Sequence, residues 1–299
     1  MGGFGRSLAT VMCVGGPPAP LGSKEVIDSM AAVLATLIAL VLLAAGVPAR
    51  AASVDTGVDT GKDVDEITDC VKANQPQLSA EQTVTMRTVD RMGSARVSNA
   101  TIYWQKFGEN SKALIRFSAP EDLRGSALLM IQKGERADMF MYLPELRKVR
   151  RVTKRSVSGS MFGTDFSYED FERFQGLAAD GETKRLPDAE VEGRKVFVLE
   201  GRPSRAEESA YERIVSFVDQ ERCIPIHTEL YEKGERLRKV MVMPSENITK
   251  EADSWVPHLV LVKDLVNKTQ TELLVDEIEL DKKLPRKLFS ERELVSGSR

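Results

Sequence analysis

Between Glu81 and Leu280 the chain returns again and again to one rhythm, with apolar and polar side chains in alternation. Thr83-Val84-Thr85-Met86-Arg87 alternates, and Ala100-Thr101-Ile102-Tyr103-Trp104 does so after a Met92-Gly93-Ser94 turn. Ala113–Phe117, Ser126–Gln132, Ala137–Leu143 and the short basic run Arg147–Val152 follow. The rhythm resumes at Lys195–Glu200, Tyr211–Asp219, Ile226–Glu232, Arg236–Met243, His258–Val266 and Glu272–Leu280, with Lys233-Gly234-Glu235 marking a hairpin. A period of two sends successive side chains to opposite faces of a sheet. Short polar turns between such runs predict an antiparallel meander, not βαβ units. About eleven strands are expected on this basis.

The period changes to that of a helix only at the two ends. Asp63 is placed to cap a helix running to about Ala73, with Val64, Ile67 and Val71 along one face and Cys70 beside them. Asn74 and Pro76 stop it. Leu284–Val295 reads as a short terminal helix.

Three strands break the alternation by being apolar on both faces: Leu128-Leu129-Met130-Ile131, Met139-Phe140-Met141 and Val240-Met241-Val242-Met243. A sheet with one face in water alternates cleanly, so these strands either carry cover on both sides or line a cavity. Methionine is enriched here, and its flexible thioether re-packs around ligands of variable shape. The pattern alone leaves a two-layer apolar core and a cavity equally open.

Composition adds a compartment. Apolar content of 42% and charged content of 29% exclude wholesale disorder. Ala31–Val47 is an unbroken apolar run followed by Pro48-Ala49-Arg50-Ala51, the pattern of a secretory signal peptide with a small-residue cleavage site. An uncleaved membrane anchor is the alternative. The expected organisation is a signal peptide over 1–51 with an over-extended start, a flexible linker over 52–62 and one domain over 63–299. In an exported chain, Cys70 and Cys223 are most simply a disulfide, with two buried thiols as the alternative.

Little of the sequence suggests catalysis. His227 and His258 read as packed or surface histidines, and neither His-x-x-x-His nor Cys-x-x-Cys spacing offers a metal site. There is no Gly-x-Ser-x-Gly elbow and no phosphate-cradling loop opening a helix. No enzyme, metal or cofactor is expected. The basic run Arg147, Lys148, Arg150, Arg151, Lys154 and Arg155 lacks the interleaved aromatic rings of a nucleic-acid surface, and export argues against nucleic acid as a partner. Some of these charges must point at the protein body, where a buried guanidinium needs a carboxylate. Arg147, Arg150 and Arg151 are therefore expected either to pair with Asp165, Glu169 and Asp170 or to form a basic rim for anionic headgroups or an acidic partner.

The same region carries a resemblance. Tyr142-Leu-Pro-Glu-Leu-Arg-Lys-Val-Arg-Arg151 and then Gly159-Ser-Met-Phe-Gly-Thr-Asp-Phe-Ser-Tyr-Glu-Asp170 resemble the bacterial outer-membrane lipoprotein-sorting protein family, the LolA-like periplasmic carriers. Phe117-Ser-Ala-Pro120, Arg124-Gly-Ser-Ala-Leu-Leu129 and Asn74-x-Pro76 extend it over roughly Val64 to Leu284. The resemblance implies an open, unclosed antiparallel β half-barrel whose apolar cavity takes acyl chains. It further implies hand-off of lipid or lipoprotein, with an inner-membrane exporter of the resistance-nodulation type as a partner. On that reading Met86, Trp104, Ile115, Phe117, Leu129, Ile131, Met139 and Met141 are the candidate lining residues. The competing reading is an exporter adaptor whose barrel is filled by its own side chains.

Overall fold

The computed structural model describes residues 61–134, 136–153, 156–174, 181–203 and 209–296. The signal peptide and nearly all of the linker expected over 1–62, together with Lys154 and Arg155, lie outside these residues. The described residues form fifteen strands: β1 Ser79–Val89, β2 Ala95–Phe107, β3 Asn110–Ala119, β4 Ala127–Lys133, β5 Arg136–Leu143, β6 Lys148–Arg151, β7 Glu182–Val191, β8 Arg194–Arg202, β9 Arg213–Asp219, β10 Pro225–Glu232, β11 Arg236–Val242, β12 Ile248–Glu251, β13 Ser254–Pro257, β14 Leu259–Asp264 and β15 Thr269–Leu280.

Thirteen of them form one antiparallel sheet in the order β6-β5-β4-β3-β2-β1-β15-β14-β11-β10-β9-β8-β7, and β12–β13 is a separate hairpin. Two meanders are thus joined at the centre, where β1 pairs with β15 over Ala80↔Leu280 to Val89↔Gln270. β6 and β7 are the free edges, so the sheet is unclosed. The chain segment between these edge strands must cross from one margin of the sheet to the other. That segment carries the Ser156–Phe174 stretch.

The strands expected from the sequence, about eleven in number, correspond to all of these except β7, β12 and β13. β7 is charged along its length and contains Pro187 at a register shift between Leu186 and Ala189. Proline is tolerated there because an edge strand needs no N–H on its free side and a bulge interrupts the ladder. Each strand of the β12–β13 hairpin has four residues, too short to show a period.

Helix α1 spans Val64–Ala73. The Asp63 carboxylate accepts the Glu66 N–H and the Glu66 carboxylate accepts the Asp63 N–H, each at 2.9 Å, so both ends of a capping box are satisfied. Ile67 is fully buried against Phe197 and Val218, which seats the helix on β8 and β9. A disulfide joins Cys70 of α1 to Cys223 in the β9–β10 turn, 153 residues away in sequence, with a Cα–Cα distance of 5.6 Å.

Two helical expectations change. The C-terminal segment is a 3-10 turn over Arg286–Phe289 followed by a short α-helix at Glu291–Ser296. A further helix, α2 at Tyr168–Phe174, lies inside what reads in the sequence as a loop. Its signal is Ser167-Tyr168-Glu169-Asp170: Ser167 Oγ accepts the Asp170 N–H at 3.0 Å and Asp170 Oδ2 accepts the Ser167 N–H at 2.8 Å. This is a capping box with Asp in place of Glu.

Two of the strands that are apolar on both faces, β4 and β5, have cover on both faces. Leu128, Met130 and Met139 belong to the main core on the concave side, together with Met161, Phe166 and Phe171 of the crossing segment. Leu114, Ala127, Leu129 and Tyr142 point the other way and pack on Leu284, Phe289 and Leu294 of the C-terminal segment. Arg116 reaches across to this segment and donates to the Glu293 and Leu294 carbonyls at 3.0 and 3.3 Å.

Candidate functional site

The Ser156–Phe174 segment plugs the β1–β6 side of the concave face. It turns back on itself at Met161–Thr164, where the Thr164 N–H donates to the Met161 carbonyl at 3.1 Å. Phe162 and Gly163 occupy the two central positions with φ of 50° and 81°. Such a turn needs positive φ at both, which glycine adopts freely and phenylalanine only under strain. The Phe162 ring is held there by Phe117, with centroids 4.7 Å apart. Met161, Phe166 and Phe171 are completely buried beneath. Tyr168 donates its hydroxyl to Met141 Sδ at 3.2 Å, and burial raises its pKa above the usual phenol value.

Three carboxylates lock this plug to the sheet and to the segment that leads into β9. Asp165 accepts from the Thr269 hydroxyl and, at 2.7 Å, from the Thr271 hydroxyl of β15. Glu169 accepts from Ser209 Oγ at 2.5 Å, the Ala210 N–H at 2.9 Å and Arg173 at 3.1 Å. Asp170 accepts from Lys239 Nζ at 2.7 Å and from the Tyr211 hydroxyl at 2.6 Å. Lys239 also donates to the Asp165 carbonyl at 2.7 Å. Burial, with Asp170 and Glu169 close by, holds the Tyr211 hydroxyl protonated far above the usual phenol range.

These partners correct the expected pairing of Asp165, Glu169 and Asp170 with Arg147, Arg150 and Arg151. The cation inside is Lys239 of β11, together with Arg173 of α2. Arg151 binds Asp138 on the outer face instead, beside Lys133. Lys133, then Arg151, hold the Asp138 carboxyl below the ordinary carboxylate range. Arg147, Lys148 and Arg150 are exposed. The physical reason is register: β6 is an edge strand whose side chains reach solvent on both faces, whereas Lys239 sits on a strand that the plug covers.

Beyond the plug, the concave face is hollow. A cavity of about 360 Å³ is walled by β1, β2, β9, β10, β11 and β15 through Ile102, Trp104, Ile214, Leu230, Met241 and Ile278, among others. Its roof is the C-terminal end of α1 (Val71, Asn74, Pro76) and Trp255 of the β12–β13 hairpin, and Arg173 and Phe174 of α2 border it from the plug side. Asn74 fastens the roof: its amide accepts the Trp255 N–H at 2.8 Å and donates to the Arg222 and Cys223 carbonyls at 2.7 and 3.2 Å. Helix end, hairpin and disulfide-bearing turn therefore meet on a single side chain.

Of the eight candidate lining residues, Trp104 is on the cavity wall. Met86, Ile115, Phe117, Met139 and Met141 lie on the concave side in or against the core that the plug completes. Leu129 and Ile131 are corrected: they point to the outer face and pack in the C-terminal cluster, because one step along a strand reverses the face. Met241 and Met243 were visible in the sequence as a doubly apolar run, yet nothing local says that they, unlike Lys239 of the same strand, lie beyond the plug and face the cavity. Among the described residues no group of three His, Cys, Asp or Glu is arranged to hold a metal ion.

A family model described as "-like: Uncharacterized protein" matches residues 109–296, more than half of the chain. No curated protein matches significantly. Among solved structures, a putative outer membrane lipoprotein-sorting protein domain from Vibrio parahaemolyticus is 26% identical with a TM-score of 0.71, covering 77% of this chain and 97% of that one. A DUF1329 family protein from Desulfovibrio piger is 22% identical with a TM-score of 0.71, covering 77% and 96%. A LolA superfamily protein from Nitrosomonas europaea is 21% identical with a TM-score of 0.62, covering 78% and 99%. The last two likenesses are likenesses of fold.

Proposed function

The chain belongs to the outer-membrane lipoprotein-sorting protein family with its LolA-like fold, and on that premise we propose that it is a periplasmic carrier of lipid or lipoprotein acyl chains. The observation that carries this reading is the hollow beyond the plug on the concave face, with its mainly apolar walls. At about 360 Å³ it lies at the small end of ligand pockets, a space for one acyl chain or a similarly slim apolar body. Affinity comes from burial, about 0.8 kcal/mol per methylene withdrawn from water. Release then needs a receptor or membrane that offers comparable cover, with no nucleotide and no covalent step. The activity is binding and transfer, not catalysis.

The apolar run and small-residue exit at Ala31–Ala51 support export through a cleaved signal peptide. Native mass spectrometry of protein taken gently from the periplasm tests the carrier reading: a lipid adduct is expected, and a clean apo mass would count decisively against it.

The plug favours one other reading. Met86, Ile115, Phe117, Met139 and Met141 belong to or pack against a closed core, as an adaptor of a resistance-nodulation-type exporter with a filled barrel requires. Co-purification with such an exporter in a lipid-free preparation would support the adaptor over the carrier.

A further inference from the structure

Consecutive strands of an antiparallel meander reverse alternately at its two ends. The turns at 90–94, 120–126, 144–147, 233–235 and 265–268 therefore share one end of the half-barrel, opposite α1 and the β12–β13 hairpin. Large apolar side chains are exposed at this turn end: Met92 (84%), Leu146 (41%), Leu265 (46%), Val266 (38%) and, just inside β2, Val97 (49%). Only Leu78 and Leu274 join them among the described residues, so the exposure is concentrated at one end and not scattered singly.

The fold presents these side chains on braced turns. Asp90 accepts the N–H groups of Met92 and Ser94 at 2.8 and 2.9 Å, and Asp264 accepts those of Val266 and Asn267 at 3.0 and 2.8 Å. Leu146 ends a 3-10 turn begun by Pro144. Val89 pairs with Gln270, so the first and last of the turns are neighbours. Leu146 lies four strands from β1, roughly 20 Å away at the usual strand spacing.

Each apolar tip has a cation beside it: Arg91 next to Met92, Arg147 and Lys148 next to Leu146, and Lys268 two residues after Val266. None of these four cations forms an ion pair among the described residues. The acids on the same turns are Asp90, whose carboxylate braces its own turn, and Glu145. Glu121, Asp122 and Glu235 are paired with Arg124, Arg96 and Arg213.

We infer that the turn end is a docking surface for an anionic lipid bilayer. Separate apolar tips roughly 20 Å apart leave no continuous groove for a partner helix or strand. A bilayer interface is laterally continuous and soft, and it takes all the tips at once. Leucine, valine and methionine enter the headgroup boundary while arginine and lysine keep their charges at the phosphates. In this pose α1 and the hairpin that roof the cavity stay clear of the membrane.

Vesicle co-sedimentation tests this, with protein recovered in soluble form from the periplasm and phosphatidylethanolamine vesicles with or without phosphatidylglycerol. Binding is expected to the phosphatidylglycerol vesicles and to weaken at high salt. Combining Met92→Ser, Leu265→Ser and Val266→Ser should weaken partitioning by roughly tenfold or more. Arg91→Glu with Arg147→Glu and Lys148→Glu should abolish the preference for phosphatidylglycerol, and Leu274→Ser should change nothing. All replaced side chains are exposed, so thermal midpoints near that of the parent protein are expected. Absence of phosphatidylglycerol-dependent binding, or unchanged binding by the tip variants, overturns the inference. Loss of exporter capture in detergent by the same variants, without vesicle binding, would assign the surface to an acidic protein and equally overturn it. Lipid occupancy of the cavity is read separately by mass, so this surface and the carrier reading fail independently.

Discussion

Lys239 Nζ lies 2.7 Å from Asp170 Oδ2, with side-chain exposures of 7% and 0%. One residue comes from β11 and the other from the helix in the plug, 69 positions apart in sequence. This ion pair fastens the part of the concave face that is filled, at the border of the part that is hollow. Two ions withdrawn from water cost several kcal/mol each, and their attraction repays this only with further hydrogen bonds. Tyr211, the Ser167 N–H and the Asp165 carbonyl supply them.

Removing one partner leaves an uncompensated buried charge. Lys239→Met is expected to lower stability by about 3–5 kcal/mol, read as a shift of the urea unfolding midpoint at constant slope. Tyr211→Phe removes one bond to the same carboxylate and should cost about 1–3 kcal/mol. A Lys239→Met protein as stable as its parent would show that the plug is not pinned here.

Filling the cavity should block the ligand without unfolding the protein. Met241 lines the cavity, so Met241→Trp is expected to abolish the lipid adduct in native mass spectrometry while leaving the circular dichroism spectrum intact. Leu129→Met, on the outer face, should leave the adduct unchanged. If both variants keep the adduct, the ligand sits elsewhere.

The disulfide closes a loop of 153 residues and ties α1 to the turn that Asn74 also holds. Replacing Cys70 and Cys223 by serine should cost about 2–5 kcal/mol. Reductant should lower the thermal midpoint of the parent protein but not that of the double variant. Roof and core are also expected to separate: hydrogen exchange near Trp255 should quicken more than that in β3 and β4.

Acid should weaken the same corner. Burial opposes ionisation of Asp219, but Arg194 and the N–H groups of Arg222 and Glu221 outweigh it and hold the carboxyl below its ordinary value. A depressed carboxylate contributes stability that is present above the ordinary value of about 3.9 and is lost as pH falls through the lower folded value. Asp219→Asn should therefore lower the midpoint at neutral pH and flatten its fall below about pH 4. An unchanged acid limb in the variant would remove Asp219 from that account.

Alternation of side chains along Val84–Met86, Ala100–Trp104 and Ala113–Phe117 was enough to specify an antiparallel β protein, because face assignment in a strand is a local property. The double apolar faces of Leu128–Ile131 and Met139–Met141 likewise announced either a layer on each side or a cavity. The capping box at Ser167–Asp170 was equally local, and would have placed α2 inside the Gly- and Ser-rich stretch. β7 was hidden because an edge strand needs no apolar face.

The sequence by itself determined the class of fold, the boundaries of α1, and the demand that every doubly apolar strand be covered twice or line a cavity. Tertiary structure alone decided what does the covering. The plug lies over β3, β4 and β5, and the C-terminal segment backs them, while Met241 and Met243 of the other meander face a cavity. The partner of Asp170 was settled in the same way: the six basic residues of the 147–155 run lie nearer in sequence, yet Lys239 reaches it. Charge and apolarity are written residue by residue, but which surfaces meet depends on how two meanders joined at β1 and β15 curve around the segment that crosses between their edges.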